Sequence, residues 1–190
     1  MTELNAEQLV MEVLSKIDKP GQIEHWADVH LEGSIPTAVA QEACVGVTKN
    51  LLQADPPRTG EWEHFLVTLA AHSRRSKRPV ATESCEAAIV GLLQLLNNGA
   101  LDEFDESKVV TVANALIVTL AAQRKLRQGI EEAIGRICDK WSHLLPRIGA
   151  QCQDLWQRKG QMSGEPGLFL WDKRNQAWRL ATDFRQYDEV

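Results

Sequence analysis

The pentapeptide Val67-Thr68-Leu69-Ala70-Ala71 occurs a second time, letter for letter, at residues 118–122. Two further segments also resemble each other: residues 42–47 precede the first copy, and residues 86–91 precede the second. The offsets within the two pairs are 51 and 44 residues, and both pairs occur in the same order along the chain. The sequence therefore predicts a structural unit that is repeated every 40 to 50 residues or so.

Helix hairpins that recur with this period are typical of armadillo and HEAT-type stacks, in which each pair of helices buries its apolar face on the next. Short strings of Val, Leu and Ala also recur by chance in helical proteins. An irregular helical bundle therefore stays open beside a genuine repeat.

Helical periodicity covers most of the chain up to Gly160. Apolar residues recur at three- and four-residue spacing, and Pro or Gly separates the segments. The predicted fold class is all-α, with about seven or eight stacked antiparallel helices. We expect Asn5, Thr59 and Thr82 to cap helix starts, and Asp105 or Glu106 to open a further helix. Pro146 is expected to break or kink a long amphipathic stripe that runs from Ile130 to Leu145.

The pattern changes in the last thirty residues, so we expect a helical domain over 1–160 and a C-terminal β-hairpin with a tail over 161–190. Residues 168–171 and 176–182 alternate like strands around a four-residue turn at 172–175, and residues 184–190 are expected to be a frayed tail. A lone hairpin is marginal in water, so its tryptophans should pack on the helical body or on a partner.

Composition fits an ordinary globular protein: 190 residues, 44% hydrophobic, 25% charged, with a formal net charge of −5. These values exclude collagen-like, low-complexity and fully disordered classes. The N-terminal segment is acidic and amphipathic, unlike a signal peptide, and the longest uncharged segment, Val109 to Gln123, is short for a membrane span. The sequence predicts a cytoplasmic protein without a membrane partner, whose four cysteines are reduced core residues.

Charge is distributed unevenly. Residues 1–73 hold 4 Lys and Arg against 11 Asp and Glu, whereas residues 74–160 hold 13 against 10. An acidic first third followed by a mildly basic middle would either steer charged partners or neutralise itself within the fold.

No nucleotide-binding glycine loop, nucleophile elbow or Cys-x-x-Cys pair occurs in the sequence. Glu61 and His64 form a Glu-x-x-His pair, but a di-iron site needs a second copy that the chain lacks. We expect His72 to belong to a solvated helix end. The sequence thus predicts a protein that is not an enzyme and needs no cofactor, with a metal enzyme centred on Glu61 and His64 as the third-ranked hypothesis.

Two basic groups stand out: Arg74, Arg75, Lys77 and Arg78 in one predicted helix connection, and Arg124, Lys125 and Arg127 in another. If the helix hairpins stack in register, both connections fall on one edge and form a basic rim that could bind nucleic acid. The first group also fits a nuclear localisation signal, so the nucleus is an alternative location. The structural alternative is a solvated loop lying near the acidic first third.

Six tryptophans need explanation. Trp62, Trp141 and Trp156 fit helix stripes and are expected in the core. Trp26, Phe169, Trp171 and Trp178 lie in weakly periodic or terminal segments, where large rings are suited to anchor a partner. The leading functional hypothesis is accordingly a helical protein-interaction or scaffold module with a protein partner, able to form an oligomer, and nucleic-acid association is the alternative.

Overall fold

The computed structural model describes residues 4–158 and 168–180. Within these ranges the chain forms eight α-helices and one two-stranded antiparallel sheet, which confirms the all-α class with a C-terminal hairpin. The elements are α1 (Ala6–Lys16), α2 (Gln22–His30), α3 (Thr37–Leu52), α4 (Thr59–Arg75), α5 (Pro79–Asn97), α6 (Glu106–Ala122), α7 (Arg127–Lys140), α8 (Leu145–Arg158), β1 (Phe169–Asp172) and β2 (Ala177–Leu180).

The helices pack in two layers. In one layer α1, α3, α5 and α7 contact one another in that order, and in the other α2, α4, α6 and α8 do the same. Each pair of successive helices, α1 with α2, α3 with α4, α5 with α6 and α7 with α8, therefore lies against the previous pair, and we call these pairs hairpins. This order is what a repeat of helix hairpins predicts, and it favours the stacked arrangement over an irregular bundle.

The two copies of the repeated pentapeptide lie side by side. Residues 67–71 belong to α4 and residues 118–122 to α6, which are neighbours in the second layer. The threonine and the leucine are buried in both copies, as Thr68 and Leu69 in one and Thr119 and Leu120 in the other. The sequence similarity thus coincides with equivalent positions in the stack.

Several helix boundaries follow local chemistry. Asn5 caps α1 in a capping box with Gln8, and Asp105 accepts from the backbone N–H of Lys108 at the start of α6. Helix α5 starts at Pro79 rather than behind Thr82, because proline has no N–H to lose in the first turn and its fixed φ suits a helix start.

The long stripe from Ile130 to Leu145 divides earlier than its periodicity predicts. Helix α7 ends at Lys140, and Trp141 adopts φ −118° and ψ 58°, outside the helical region. A short 3₁₀ turn, Ser142–Leu144, follows, and Leu144 remains buried within it. Pro146 consequently lies in the first turn of α8, where it breaks no helix.

Close contact between the first-layer helices depends on glycine. A Cβ atom at Gly46 of α3 would lie 2.7 Å from Val10 Cγ2 of α1, and one at Gly91 of α5 would lie 3.2 Å from Thr48 Cβ of α3. Both positions fall in the segments at 42–47 and 86–91 that resemble each other in sequence. The absence of a side chain therefore lets consecutive hairpins approach at the first two steps of the stack.

We predict that Gly46→Ala destabilises the protein by about 1–2 kcal/mol, because overpacking against Val10 outweighs the gain in helix propensity. Gly135→Ala in α7 is the matched control, since a Cβ there meets no atom within 4 Å; it should stabilise by roughly 0.5–1 kcal/mol. Chemical denaturation measures both. The account also requires that Val10→Ala and Gly46→Ala together cost less than their sum, and a purely additive pair would contradict it.

Candidate functional site: a junction cleft and a C-terminal hairpin

The two predicted basic groups meet at one edge of the stack. Lys77 and Arg78, between α4 and α5, line the same open cleft of about 340 Å³ as Lys125, between α6 and α7. We call this the junction cleft; its other lining residues are Ser73, Ser76, Pro79, Thr82, Glu83 and Glu86. The stacked helices thus bring three of the seven cations of the predicted rim to one cleft.

Buried hydrogen bonds hold the two connections in a fixed relation. Gln123 Nε2 donates to Ser73 Oγ at 3.1 Å, and the backbone N–H of Lys125 donates to Gln123 Oε1 at 3.3 Å. Both Ser73 and Gln123 are buried. Lys125 thus extends from a backbone position that is fixed relative to the end of α4.

Arg78 also serves the fold. Its Nη1 donates to the backbone carbonyl of Glu32 at 2.7 Å and to that of Gly33, so that the guanidinium binds the end of the first hairpin. The structural alternative, a basic loop lying against the acidic first third, is therefore confirmed for Arg78.

His72 reinforces the same contact, and the expectation that it lies at a solvated helix end is wrong. Its ring is 4% exposed, with Nδ1 3.2 Å from Asp28 Oδ1 and Nε2 3.1 Å from Glu32 Oε1. A hydrogen bond with the Ser76 side chain, followed by the charges of His72 and Arg78, keeps the pKa of Glu32 below its ordinary value. Asp28 lies on α2 and Glu32 in the turn that follows it, and this four-residue spacing of two carboxylates was the sequence signal for the contact.

The remaining cations of the two groups differ in their availability. The side chains of Arg74, Arg75 and Lys77 are exposed, and they make no hydrogen bond or ion pair to another described residue. Arg127 instead donates from Nε to Glu131 Oε1 at 2.7 Å, one turn further along α7. Arg124 is exposed at the start of the 3₁₀ turn Arg124–Leu126.

The junction cleft carries both signs of charge. Glu83 and Glu86, on the first two turns of α5, line it together with Lys77 and Lys125. Within the described ranges, neither lysine forms an ion pair with either glutamate. The cleft is therefore a mixed-charge surface, unlike the purely basic rim that the sequence predicts.

The C-terminal hairpin forms as predicted, with its turn one residue later. Strands β1 and β2 pair in a register that puts Trp171 opposite Trp178, and residues 173–176 make the four-residue turn. Asp172 stays in β1 because its carboxylate accepts from the backbone N–H groups of Arg174 and Asn175, at 2.9 and 3.2 Å. The predicted flanking loop at 161–167 and tail at 184–190 lie outside the described residues.

The hairpin packs on α8 through Trp178. A Cβ atom at Gly149 of α8 would lie 2.8 Å from Trp178 Cγ, so the indole rests directly on the helix backbone. Phe169 is buried, whereas Trp171 is 45% exposed. The rings of Trp171 and Trp178 meet edge to face, with centroids 5.3 Å apart. Of the predicted partner anchors, Trp171 is thus the one that presents its ring to solvent.

Trp26 is a core residue, contrary to its predicted role in partner binding. It is 1% exposed and packs near Phe65 of α4 and His30, at centroid distances of 6.4 and 5.5 Å. The weak periodicity of α2 concealed this, because a nine-residue helix shows only two turns of pattern. Trp62 is buried and Trp141 partly buried, as expected, and the side chain of Trp156 lies outside what the structure describes.

The four cysteines are buried and form no disulfide among the described residues, which confirms their prediction as core residues. Burial raises the pKa of the Cys44 and Cys152 thiols to about 12 and raises that of Cys85 as well. Glu61 is paired with Arg58, its Oε1 3.2 Å from Arg58 Nε. Within residues 4–158 and 168–180, no three His, Cys, Asp or Glu side chains lie close enough together to hold a metal ion.

Helix α5 is the one described helix that is long and apolar enough to cross a membrane by length and composition, with a mean hydropathy of 1.2 over its best window. Of that window, 61% is buried inside the stack. This burial is typical of a core helix.

Comparison of the chain with protein-family models, with curated proteins and with solved structures gave no match.

We predict that Gly149→Ala loosens the hairpin while leaving the helical stack intact, because the added methyl group occupies the space of the Trp178 ring. Hydrogen exchange of the amides in residues 168–180 should accelerate about tenfold or more, which corresponds to a loss of roughly 1.4 kcal/mol of docking energy. Exchange in α3 and α5 should be unchanged. Gly135→Ala again serves as the control, and equal exchange in both variants would show that Trp178 does not rest on Gly149.

Proposed function

We propose that this protein is a non-enzymatic helical-repeat module that binds a protein partner, as a scaffold or assembly subunit, through its C-terminal hairpin. The observation that carries the proposal is Trp171, a large aromatic ring that is exposed while its position is already fixed. Stacked helix hairpins offer extended surfaces of this kind, because each unit only has to contact its neighbours to be stable.

The fixed position matters for affinity. Trp171 packs against Trp178, which in turn packs on Gly149. Binding of a partner to the Trp171 ring therefore costs little conformational entropy. Tryptophan is among the residues most often found to dominate binding energy at protein interfaces. A second copy of this chain is one such partner, and it would make the protein an oligomer.

Two further observations support a binding role over catalysis. The buried thiols of Cys44, Cys85 and Cys152 have raised pKa values, which disfavours the thiolate that a nucleophile requires. The Glu61 carboxylate of the third-ranked metal hypothesis is engaged by Arg58. The cytoplasmic location, with the nucleus as the alternative, stays a prediction.

Nucleic-acid association is the weaker candidate. Arg78 and Arg127 bind groups of the protein itself, and Glu83 and Glu86 would repel a phosphate backbone in the junction cleft. The net charge of −5 also opposes non-specific binding. This alternative depends on the exposed cations of the two groups, which are Arg74, Arg75, Lys77, Arg124 and Lys125.

Trp171→Ala tests the proposal. Affinity capture from cells should recover a partner with the unmodified protein and lose it with Trp171→Ala, since truncating an anchor of this type weakens binding roughly thirtyfold, or about 2 kcal/mol. Met11→Ala, which truncates an exposed apolar residue of α1, is the matched control and should capture the same partner. Size measurement in solution separates self-association from a second protein. Identical capture by all three proteins would contradict the proposal.

A further inference from the structure

The junction cleft holds charges of both signs that the fold itself leaves unpaired. Lys77 and Lys125 lie on its loop side and Glu83 and Glu86 on the first turns of α5. No ion pair within 4 Å joins any of these four side chains to another described residue. By contrast, many charges around the cleft are used by the fold, as Arg78, His72 and Glu32 show.

Their separation constrains the ligand. The two lysines come from two different connections, which Ser73 and Gln123 hold in place, and the two glutamates come from one helix. Charges grouped in a cleft produce a stronger field than the same charges on a convex surface. A ligand that fills this cleft therefore meets cationic and anionic side chains together.

We propose that the junction cleft binds a peptide segment of a partner protein that carries an acidic side chain close to a basic one. The acidic side chain pairs with Lys77 and Lys125, and the basic side chain pairs with Glu83 and Glu86. Thr82 also lines the cleft, and in this proposal its hydroxyl bonds to the peptide backbone. This site is separate from the hairpin, so the inference does not depend on Trp171.

Two properties favour a peptide over nucleic acid. A phosphate backbone offers one sign of charge and would place anions against Glu83 and Glu86. Proteins that bind single strands also interleave aromatic platforms with their cations, and none of the described residues that line this cleft is aromatic. A mixed-charge peptide is favoured instead, because its acidic side chain can pair with the lysines of the cleft and its basic side chain with the glutamates.

Fluorescence anisotropy with three labelled probes tests this inference: a peptide of alternating Glu and Lys, a peptide of Glu alone, and a uridine oligonucleotide. We expect the alternating peptide to bind most tightly and to bind less well as salt increases, since exposed ion pairs are screened. Lys77→Glu with Lys125→Glu should weaken that binding about tenfold. Glu83→Lys with Glu86→Lys should reverse the preference, so that the Glu peptide and the oligonucleotide bind better than the alternating peptide.

The control carries the same change in net charge away from the cleft. Lys19→Glu with Arg136→Glu alters two exposed cations, one that follows α1 and one on α7. This variant should leave binding of the alternating peptide unchanged. Circular dichroism of each variant confirms that the helical stack is retained. Trp171→Ala should bind the alternating peptide normally, which separates this inference from the proposed function of the hairpin.

Three results would overturn the inference. The first is that the alternating peptide fails to bind at low salt, and the second is that it binds equally well to the Lys77 and Lys125 variant. The third is that the oligonucleotide binds the unmodified protein more tightly than either peptide, which would establish the junction cleft as a nucleic-acid site instead.

Discussion

The hydroxyl of Thr48 is the contact on which the rest of the stack depends. It is fully buried in α3, accepts a hydrogen bond from Trp62 Nε1 of α4 at 3.1 Å, and donates to the carbonyl of Ala88 in α5 at 3.3 Å. One side chain thereby satisfies a buried indole and joins two consecutive hairpins. Because an unsatisfied buried donor costs about 1–3 kcal/mol, this bond selects one particular packing of α3, α4 and α5. The Thr48 methyl group fills the space that Gly91 leaves open, which lets α5 approach.

That packing determines where the connections lie, and hence where charge is concentrated. Each connection from the second layer back to the first returns at the same edge, so the end of the first hairpin meets the connection between α4 and α5, and this meets the one between α6 and α7. The acidic first hairpin is partly neutralised there by Arg78 and His72. Lys77 and Lys125 have no such partner in the described part of the chain. The uneven charge along the sequence therefore has a structural consequence.

The sequence predicts best those features that depend on residues close together along the chain. The capping residues Asn5 and Asp105, the core cysteines, the repeated helix pairs and the hairpin all follow from local pattern. Prediction failed where the surroundings of a side chain are set by a segment that is distant in the sequence. Phe65 covers Trp26, two carboxylates from α2 and the turn after it cover His72, and backbone carbonyls of that same turn bind Arg78. The junction cleft could be predicted only in part. Its basic groups are visible in the sequence, but only the packing of the helices shows that Glu83 and Glu86 line the same cleft.

The most direct test of the stacked arrangement is nuclear magnetic resonance of the intact protein, observing Thr48, Gly91 and Trp62. The account predicts a nuclear Overhauser effect between the Thr48 methyl group and the Gly91 α-protons. It also predicts that the Trp62 indole N–H exchanges with solvent far more slowly than that of Trp171, which is exposed on the hairpin. If the Overhauser effect is absent and the two indoles exchange at similar rates, then α3 and α5 are not adjacent, and the stack with its junction cleft is wrong.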